Sequence, residues 1–396
     1  MIGPVSSDEL AEWAGEARER WHIPAIAVGL LRDGAAATAG AGAAPDDVFR
    51  IASITKPFVA TLAHEVLDLD SPPAGTKVAA TVRQLLSHQG GLACEWPGSL
   101  EEFGDDDEAL LRVAAGEPRL LPFEPGELFS YSNVGFWLVG AAIARASGTT
   151  FEEALQTQVL DPLALVSTGF EAESLVPGYV QVAPGGDEHR RFDGAYPRVR
   201  RPSGGLLGPV VDLLRFAESQ FERRDLHRPL VSGPGFEHGL GWFLRRRAGR
   251  RSVEHPGSAA GYQSLLLLIP EERFAFAALT NSSRGIAAIT DLLDRLGLAI
   301  DTPADIPLDR EHLGHFVGRY EAPGVRMELS SDGNGLRLDY SEKDPFRREW
   351  DAYPPFRLRP VGDREFEIVD GEWRGQWLGF PRDGVVSFGI VAQRVG

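Results

Sequence analysis

The sequence is poor in cysteine and lysine and has no long apolar run. Cys94 is the only cysteine among 396 residues, so no intramolecular disulfide can form and an oxidising compartment is not required. No uncharged stretch reaches the length that spans a membrane, and the segment after Met1 lacks the basic start and apolar core of a signal peptide. These absences predict a cytoplasmic protein without a membrane partner.

Positive charge is also outweighed by negative charge. The formal net charge is −17 at pH 7, which argues against a nucleic acid or an anionic membrane as partner. With 43% hydrophobic residues, the chain has the composition of a soluble globular protein, and its length allows two or three domains.

One of the three lysines follows a serine at the start of an apolar helical pattern. Ser53 and Lys56 are three residues apart, so a helix places them on one face within side-chain reach. A neutral amine can accept the serine proton as the hydroxyl attacks a carbonyl, provided that burial or a cation lowers the lysine pKa. Pro57 fits only near a helix start, where free amides favour developing negative charge. The alternative without a catalytic role is a capped helix with a solvated lysine.

Two further patterns offer partners for this pair. Tyr131 and Asn133 precede a predicted helix, where a tyrosine near the serine and lysine would shuttle protons and an asparagine would bind a substrate amide. The stretch His255-Pro256-Gly257-Ser258 lies at a strand end, where a glycine lets a substrate approach the backbone. Alone, each pattern is more often packing or a turn.

The order of predicted elements indicates an α+β fold. A hairpin is predicted over Ala25–Leu31 and Ala35–Ala39, helices dominate from residue 81 to 221, and strands return from Leu240 to Thr280. This order favours one antiparallel sheet that both ends of the region complete, with helices on its faces and an all-α insertion.

A second domain is predicted at the C-terminus. The segment Thr302–Pro307 has the composition of a linker, and about eight short strands follow it, including Trp373–Leu378 and Val385–Val391. Such a series is typical of a small antiparallel barrel or sandwich. We therefore expect domains at 1–301, with a helical subdomain at about 63–220, and at 302–396.

Taken together, these motifs resemble those of the serine β-lactamase and penicillin-binding-protein superfamily. The resemblance covers roughly residues 8–300 and rests on Ser53-Ile54-Thr55-Lys56, Tyr131-Ser132-Asn133 and His255-Pro256-Gly257, with flanking stretches such as Leu85–Leu92. It is strongest to the class C-like branch, peptidase S12-like, which holds D-aminopeptidases, DD-peptidases and family VIII carboxylesterases. The C-terminal region resembles the lipocalin-like barrel appended to some of these peptidases.

The resemblance implies a role for each motif residue. Ser53 would be acylated, Lys56 and Tyr131 would share the base and acid roles, and Asn133 would orient the substrate. The backbone N–H groups of Ser53 and Ser258 would form an oxyanion hole. No metal or organic cofactor is implied, and the pair His312 and His315 lacks a convincing third ligand nearby.

The third motif departs from the lactamase pattern. Lys-Thr-Gly is replaced by His255-Pro256-Gly257, so a cation and a hydroxyl become a mostly neutral imidazole and a proline without a donor. We therefore expect poor binding of penicillins and of substrates with a carboxylate at this end of the cleft. The arginines between Arg245 and Arg251 would offer the missing charge only if they point into the cleft.

The leading hypothesis is a serine hydrolase that cleaves amide bonds of small peptides, with D-residue-containing peptides among the candidates. One alternative is a carboxylesterase or acyltransferase that uses the same residues. The other is a non-catalytic penicillin- or peptide-binding module. The barrel would contribute to homo-oligomer assembly or to the cleft, or would be a passive stabilising domain.

Overall fold

The computed structural model describes residues 3–182, 189–192, 194, 196–259, 261–304, 306–331, 333, 335–343, 350–371 and 373–395. Asp305, in the middle of the predicted linker, lies outside the described residues. The proposed division of the chain at residue 301 stays a prediction.

Twelve described strands precede residue 300, and eight of them form one antiparallel sheet. They are β1 (Ile26–Arg32), β2 (Ala35–Ala41), β3 (Phe49–Arg50), β4 (Gly178–Gln181), β5 (His189–Phe192), β6 (Leu207–Gly208), β7 (Val231–Gly233), β8 (Phe236–His238), β9 (Phe243–Arg247), β10 (Arg250–Ala259), β11 (Tyr262–Ile269) and β12 (Phe274–Thr280). The large sheet has the order β2-β1-β12-β11-β10-β9-β8-β7. Ile26 of β1 pairs with Thr280 of β12, so the early hairpin joins the late strands as the sequence predicts.

Helices cover both faces of this sheet. The described α-helices are α1 (Ser7–Arg20), α2 (Thr55–Val66), α3 (Val82–Leu86), α4 (Ala109–Ala115), α5 (Asn133–Ser147), α6 (Phe151–Leu155), α7 (Arg201–Gly204), α8 (Val210–Gln220), α9 (Gly285–Arg295) and α10 (Arg310–Gly314), the last of which packs into the core of the C-terminal strands instead. Helices α1 and α9 share an apolar core with one face, and α2, α5 and α8 share a core with the other. Because both faces are covered, every residue of β12 is buried.

Local sequence signals set the helix ends. The hydroxyl of Ser6 accepts a hydrogen bond from the N–H of Glu9 and caps α1 (3.2 Å), while Thr81 and Gln84 form a capping box on α3. Gly148 ends α5 in the left-handed conformation, with φ of 67°. In the described part of the chain, no helix combines the length and the apolar character needed to cross a membrane.

The C-terminal strands form a barrel. They are β13 (Gly318–Ala322), β14 (Val325–Ser331), β15 (Leu336–Lys343), β16 (Trp350–Ala352), β17 (Phe356–Pro360), β18 (Glu365–Ile368), β19 (Trp377–Arg382), β20 (Val385–Phe388) and β21 (Ile390–Val395). The order β14-β13-β21-β20-β19-β18-β17-β15 closes through the β14–β15 pairing, and β16 pairs with the far end of β15. The structure therefore has an α+β part with a helical insertion and a small antiparallel barrel.

Two predicted barrel strands are corrected. The predicted strand Val385–Val391 is two strands, because Gly389 has φ of 70° and turns the chain so that Phe388 pairs with Ile390. The predicted strand Trp373–Leu378 begins later, at Trp377, because the N–H of Gly375 donates to the Ile368 carbonyl in a turn. Apolar alternation continues across both turns, so it did not reveal them.

Close packing between α5 and α7 generates a first prediction. A Cβ at Gly140 would lie 2.3 Å from the Pro202 ring, whereas a Cβ at Gly15 of α1 would meet nothing within 4 Å. We expect Gly140→Ala to lower the free energy of unfolding by about 1–3 kcal/mol through overpacking. Gly15→Ala should raise it by roughly 0.5–1 kcal/mol, because it removes backbone entropy without a clash. Urea unfolding of both variants measures the contrast, and a neutral Gly140→Ala would contradict the packing.

Candidate active site

Ser53 lies in a tight turn that leads directly into α2. Residues Ala52–Ile54 form a single 3₁₀ turn, and α2 begins at Thr55 with Pro57 in its first turn. Ser53 is half-buried and faces a cleft, so its hydroxyl and its N–H lie at the start of the helix. The predicted position of Ser53 near a helix N-terminus is therefore observed.

Neighbouring segments hold this turn in a strained shape. Ala52 has φ of 50°, a conformation that a residue with a Cβ rarely adopts. The Thr55 hydroxyl donates to the Ala52 carbonyl (2.7 Å) and accepts from the Leu206 N–H (3.1 Å), while Ile51 N–H donates to the Leu206 carbonyl (3.1 Å). The short β3–β6 pairing lies just before the turn, so Ser53 is fixed from both sides.

Lys56 lies beneath Ser53 with its amine completely enclosed. Its side chain is 0% exposed, and Nζ lies 3.1 Å from Ser53 Oγ. The amine also donates to Asn133 Oδ1 (2.8 Å) and to the Ser203 carbonyl (2.6 Å). Burial lowers the pKa of Lys56 from 10.5 to about 7, against the opposing influence of Glu95. Because the Lys56 side chain is buried, the alternative of a solvated lysine is excluded.

Tyr131 completes the group around the serine. Its ring centroid lies 4.7 Å from Lys56 Nζ, and its hydroxyl is within hydrogen-bonding reach of Ser53. Burial raises the pKa of Tyr131 well above 10, so the phenol keeps its proton at neutral pH. The structure thus brings together the three residues that the sequence motifs single out.

An ion pair between the buried Arg200 and the half-buried Glu95 orients Asn133. Its Nδ2 donates to Glu95 Oε1 (2.7 Å), and both oxygens of Glu95 accept from the Arg200 guanidinium (3.2 and 2.7 Å). The amide of Asn133 is therefore held between Lys56 and Glu95. Glu95, Arg200 and the Ser203 carbonyl were not predicted from the sequence, because they come from an irregular segment, a 3₁₀ turn and a short helix that carry no motif.

The edge of β10 forms the wall opposite Tyr131. This strand pairs with β9 only as far as Glu254, so the second edge of residues 255–258 faces the cleft. A Cβ at Gly257 would lie 2.4 Å from the Ile51 carbonyl oxygen, so glycine is what lets the strand lie against the Ser53 turn. Gly257 and Ser258 both line the cleft, and their part in substrate binding stays a prediction.

His255 offers the cleft a neutral group. Its side chain is buried, its Nδ1–H donates to the Pro256 carbonyl (2.7 Å), and its Nε2 has no hydrogen-bond partner among the residues that the structure describes. Burial, and to a lesser extent the Lys56 charge, hold the pKa of His255 well below 6.5. The imidazole is therefore uncharged at pH 7, which agrees with the interpretation of the changed third motif.

The arginines before His255 do not supply the missing charge. Arg245 and Arg247 both bind the buried carboxylate of Glu254, at 3.0 and 2.7 Å. The other three are engaged away from the cleft: Arg246 with Asp301, Arg250 with Glu272 and Arg251 with the His227 carbonyl. The hypothesis that these arginines bind a substrate carboxylate is therefore wrong, because Glu254 and groups away from the cleft already bind their guanidinium groups.

The cleft has a volume of about 690 Å³ and two walls of different origin. One wall carries the predicted residues Ser53, Tyr131, Asn133, His255, Gly257 and Ser258. The other comes from the barrel and includes Val325, Lys343, Trp350 and Ile390. A volume of this size accommodates a small peptide or ester.

No metal centre is found in the described ranges, where no group of three or more His, Cys, Asp or Glu side chains is placed to hold an ion. His312 and His315 lie on the barrel side with ring centroids 6.1 Å apart, and His312 Nε2 bonds the Asp363 carbonyl (2.8 Å). The residues around Ser53 are instead an amine, a phenol and an amide.

The chain is similar to proteins of known family and to solved structures. The family described as Beta-lactamase matches residues 10–299. A D-aminopeptidase of Gluconobacter oxydans (strain 621H) is 26% identical over 74% of this chain, which spans 61% of that protein's length. Penicillin-binding protein 4 of Amycolatopsis lactamdurans is 25% identical over 70% of this chain and 86% of its own length. The crystal structure of SurE shares the fold over 98% of this chain and 99% of its own, with a TM-score of 0.75 and 23% identity.

Proposed function

Because the chain belongs to the beta-lactamase family, we propose that it is a serine hydrolase that forms an acyl-enzyme on Ser53. The single observation that carries the proposal is the enclosed Lys56 amine, 3.1 Å from the Ser53 hydroxyl, with its pKa lowered to about 7. A buried lysine with this pKa can accept a proton at neutral pH. A lysine with only a structural role does not need such a lowered pKa.

The hydrogen bonds of Lys56 aim its lone pair at the serine. A neutral amine has two N–H groups, and Asn133 Oδ1 and the Ser203 carbonyl are the two oxygens that accept them. The remaining lone pair faces Ser53, so Lys56 takes the hydroxyl proton as Ser53 Oγ attacks the substrate carbonyl carbon. Asn133 is held for this task by Glu95.

Negative charge then develops on the substrate oxygen. We assign its stabilisation to the N–H groups of Ser53, at a helix start, and of Ser258, on the β10 edge that faces the cleft. Removal of one such donor typically costs about 3–4 kcal/mol of transition-state stabilisation. The close approach of Gly257 to Ile51 brings these two segments together.

Tyr131 delivers a proton to the leaving group. Its hydroxyl is protonated at neutral pH and interacts with Ser53, and its ring lies 4.7 Å from Lys56 Nζ. As the C–N bond breaks, the phenol donates to the departing nitrogen and receives a proton from the Lys56 ammonium, so the charges balance. Water then attacks the acyl carbon and gives a proton to Lys56. The C–O bond to Ser53 breaks, the acyl group leaves as a carboxylic acid, and Ser53 Oγ takes the proton from Lys56.

The proposed substrates are amides of small peptides, with D-residue-containing peptides as first candidates because D-aminopeptidases are among the relatives. A panel of p-nitrophenyl esters and of D- and L-aminoacyl anilides tests this choice. Turnover of esters alone would favour the carboxylesterase alternative, and binding without turnover would favour the binding module. Homo-oligomer assembly and cytoplasmic location stay predictions.

The nucleophile and its base should behave as one unit. Ser53→Ala is expected to abolish labelling by a fluorophosphonate probe and turnover of the best ester. Lys56→Ala should lower kcat by about a hundredfold or more, and the double variant should be no worse than Ser53→Ala. Mass spectrometry of the labelled peptide and steady-state kinetics measure these effects. A Lys56→Ala enzyme within about tenfold of wild type would contradict the role of Lys56.

The lowered lysine pKa predicts the pH profile. Lys56 works only without its proton, so kcat/KM for an uncharged ester should fall roughly tenfold per pH unit below about pH 7 and level off above it. The nearby imidazoles of His88, His238 and His255 have pKa values lowered below 6.5 by burial, so they stay neutral through this range. Values of kcat/KM measured from pH 5.5 to 8.5 test for this inflection. The residual activity of Lys56→Ala, as control, should lose the inflection; a flat wild-type profile would overturn the assignment.

The changed third motif predicts a preference for neutral substrates. The neutral His255 supplies no positive charge where the lactamase pattern has a lysine, so the methyl ester of a substrate should have a higher kcat/KM than the matching free carboxylate. The double variant His255→Lys, Pro256→Thr should shift that ratio toward the carboxylate. Steady-state kinetics on the pair measure the ratio in both enzymes. A wild-type preference for the carboxylate would refute this reading and implicate Arg119 and Lys343, which also line the cleft.

A further inference from the structure

Tyr131 lies in a segment without regular structure, yet its own backbone N–H and those of its two neighbours have defined partners. The segment 129–132 belongs to no helix or strand. Ser130 N–H donates to the His88 carbonyl (2.8 Å), Tyr131 N–H donates to the Gly389 carbonyl (2.9 Å), and Ser132 N–H donates to His88 Nδ1 (3.0 Å). Three consecutive amides are thus held by two residues that are distant in sequence.

His88 also holds the side chain of Tyr131. The two rings stack with centroids 4.2 Å apart and an interplanar angle of 30°. His88 is 1% exposed and has φ of 58°, in the turn that ends α3. Because its Nδ1 accepts a hydrogen bond and its pKa lies well below 6.5 through burial, the ring is neutral with the proton on Nε2.

The second support comes from the barrel. Gly389 lies in the turn between β20 and β21, and Val391 N–H donates to the Ser130 hydroxyl (3.4 Å). Val385 and Val391 pack against Phe123 of the helical region in a separate apolar cluster. Arg382 of β19 binds Glu127 at 2.6 Å. The barrel is therefore fastened to the chain immediately before Tyr131.

We propose that His88 and Gly389 form a clamp that positions Tyr131 for proton delivery to the leaving group, so that the C-terminal barrel is part of the active site. The proposal rests on the proposed function, because it gives Tyr131 its task. A displacement of about 1 Å in a reacting group can cost roughly a hundredfold in rate. A loop residue keeps its position only when its backbone is tied to rigid elements, and the clamp supplies those ties from α3 and from the barrel.

Matched variants separate the parts of the clamp. His88→Phe keeps a stacking ring without the Nδ1 acceptor, whereas His88→Asn keeps an acceptor, tolerates positive φ and loses the ring. Gly389→Ala strains a turn with φ of 70° whose Cβ would meet nothing within 4 Å. Gly375→Ala is its control, since Gly375 also has positive φ (87°) and open space but lies in another turn of the barrel.

The readout compares two substrates with the same acyl group. A p-nitrophenolate leaves without a proton, whereas an anilide nitrogen needs one, so misplacement of Tyr131 should affect the anilide selectively. We expect His88→Phe and Gly389→Ala to lower kcat for the anilide by about tenfold to a hundredfold. For the ester, kcat and KM should change less than about threefold. Gly375→Ala should leave the anilide-to-ester ratio unchanged, and Tyr131→Phe should give the largest loss.

The outcomes distinguish the clamp from the proposed function. Wild-type enzyme that neither reacts with the fluorophosphonate nor hydrolyses either substrate would overturn the proposed function. Active wild type combined with equal losses on both substrates, or with no difference between Gly389→Ala and Gly375→Ala, would overturn the clamp. Partial recovery of the anilide rate in His88→Asn relative to His88→Phe would support the Nδ1 contact. If the His88 variants do not fold, the two glycine variants decide alone.

Discussion

A lysine amine acts as a base only while it lacks its proton, and water strongly favours the protonated form. Lys56 escapes that constraint because α2, α5 and α7 close over it, with Asn133 from α5 and Ser203 from α7 as its hydrogen-bond acceptors. The loss of hydration lowers the lysine pKa, while two acceptor oxygens satisfy the N–H groups of the neutral amine. The helical part of the fold thus excludes water from the Lys56 amine and fixes its orientation.

The charges around Lys56 are arranged so that they do not undo this effect. A lone carboxylate at Glu95 would stabilise the ammonium form and raise the lysine pKa. Arg200 binds both oxygens of Glu95, and its own charge lowers the pKa of Lys56. The pair therefore orients Asn133, while the charge of Arg200 opposes the effect of Glu95 on the pKa of Lys56. Glu254 acts similarly on the opposite wall, where it holds the charges of Arg245 and Arg247 away from the cleft.

The parts of the site that were predictable from sequence are those that depend on local geometry. Ser53 and Lys56 meet because residues three apart lie on one side of the 3₁₀ turn that runs into α2, and Gly257 fits because only a residue without a Cβ passes Ile51. The Ser203 and Gly389 carbonyls were not predictable, because every residue has a carbonyl and side-chain patterns say nothing about which one will be used. His88 stood in a recognisable stretch, but its contact with Ser132 joins residues 44 positions apart.

Side-chain patterns also failed to show one turn of the barrel. Its strands alternate apolar and polar residues well enough to indicate a small antiparallel barrel, but the alternation runs through Gly389 without a break. The residue that was hidden inside one predicted strand forms the turn that holds Tyr131. A backbone carbonyl used in this way places a demand on the shape of the turn and little demand on the surrounding side chains. The proposed coupling of the barrel to the active site therefore depends on the positive φ of one glycine, which composition and periodicity do not report.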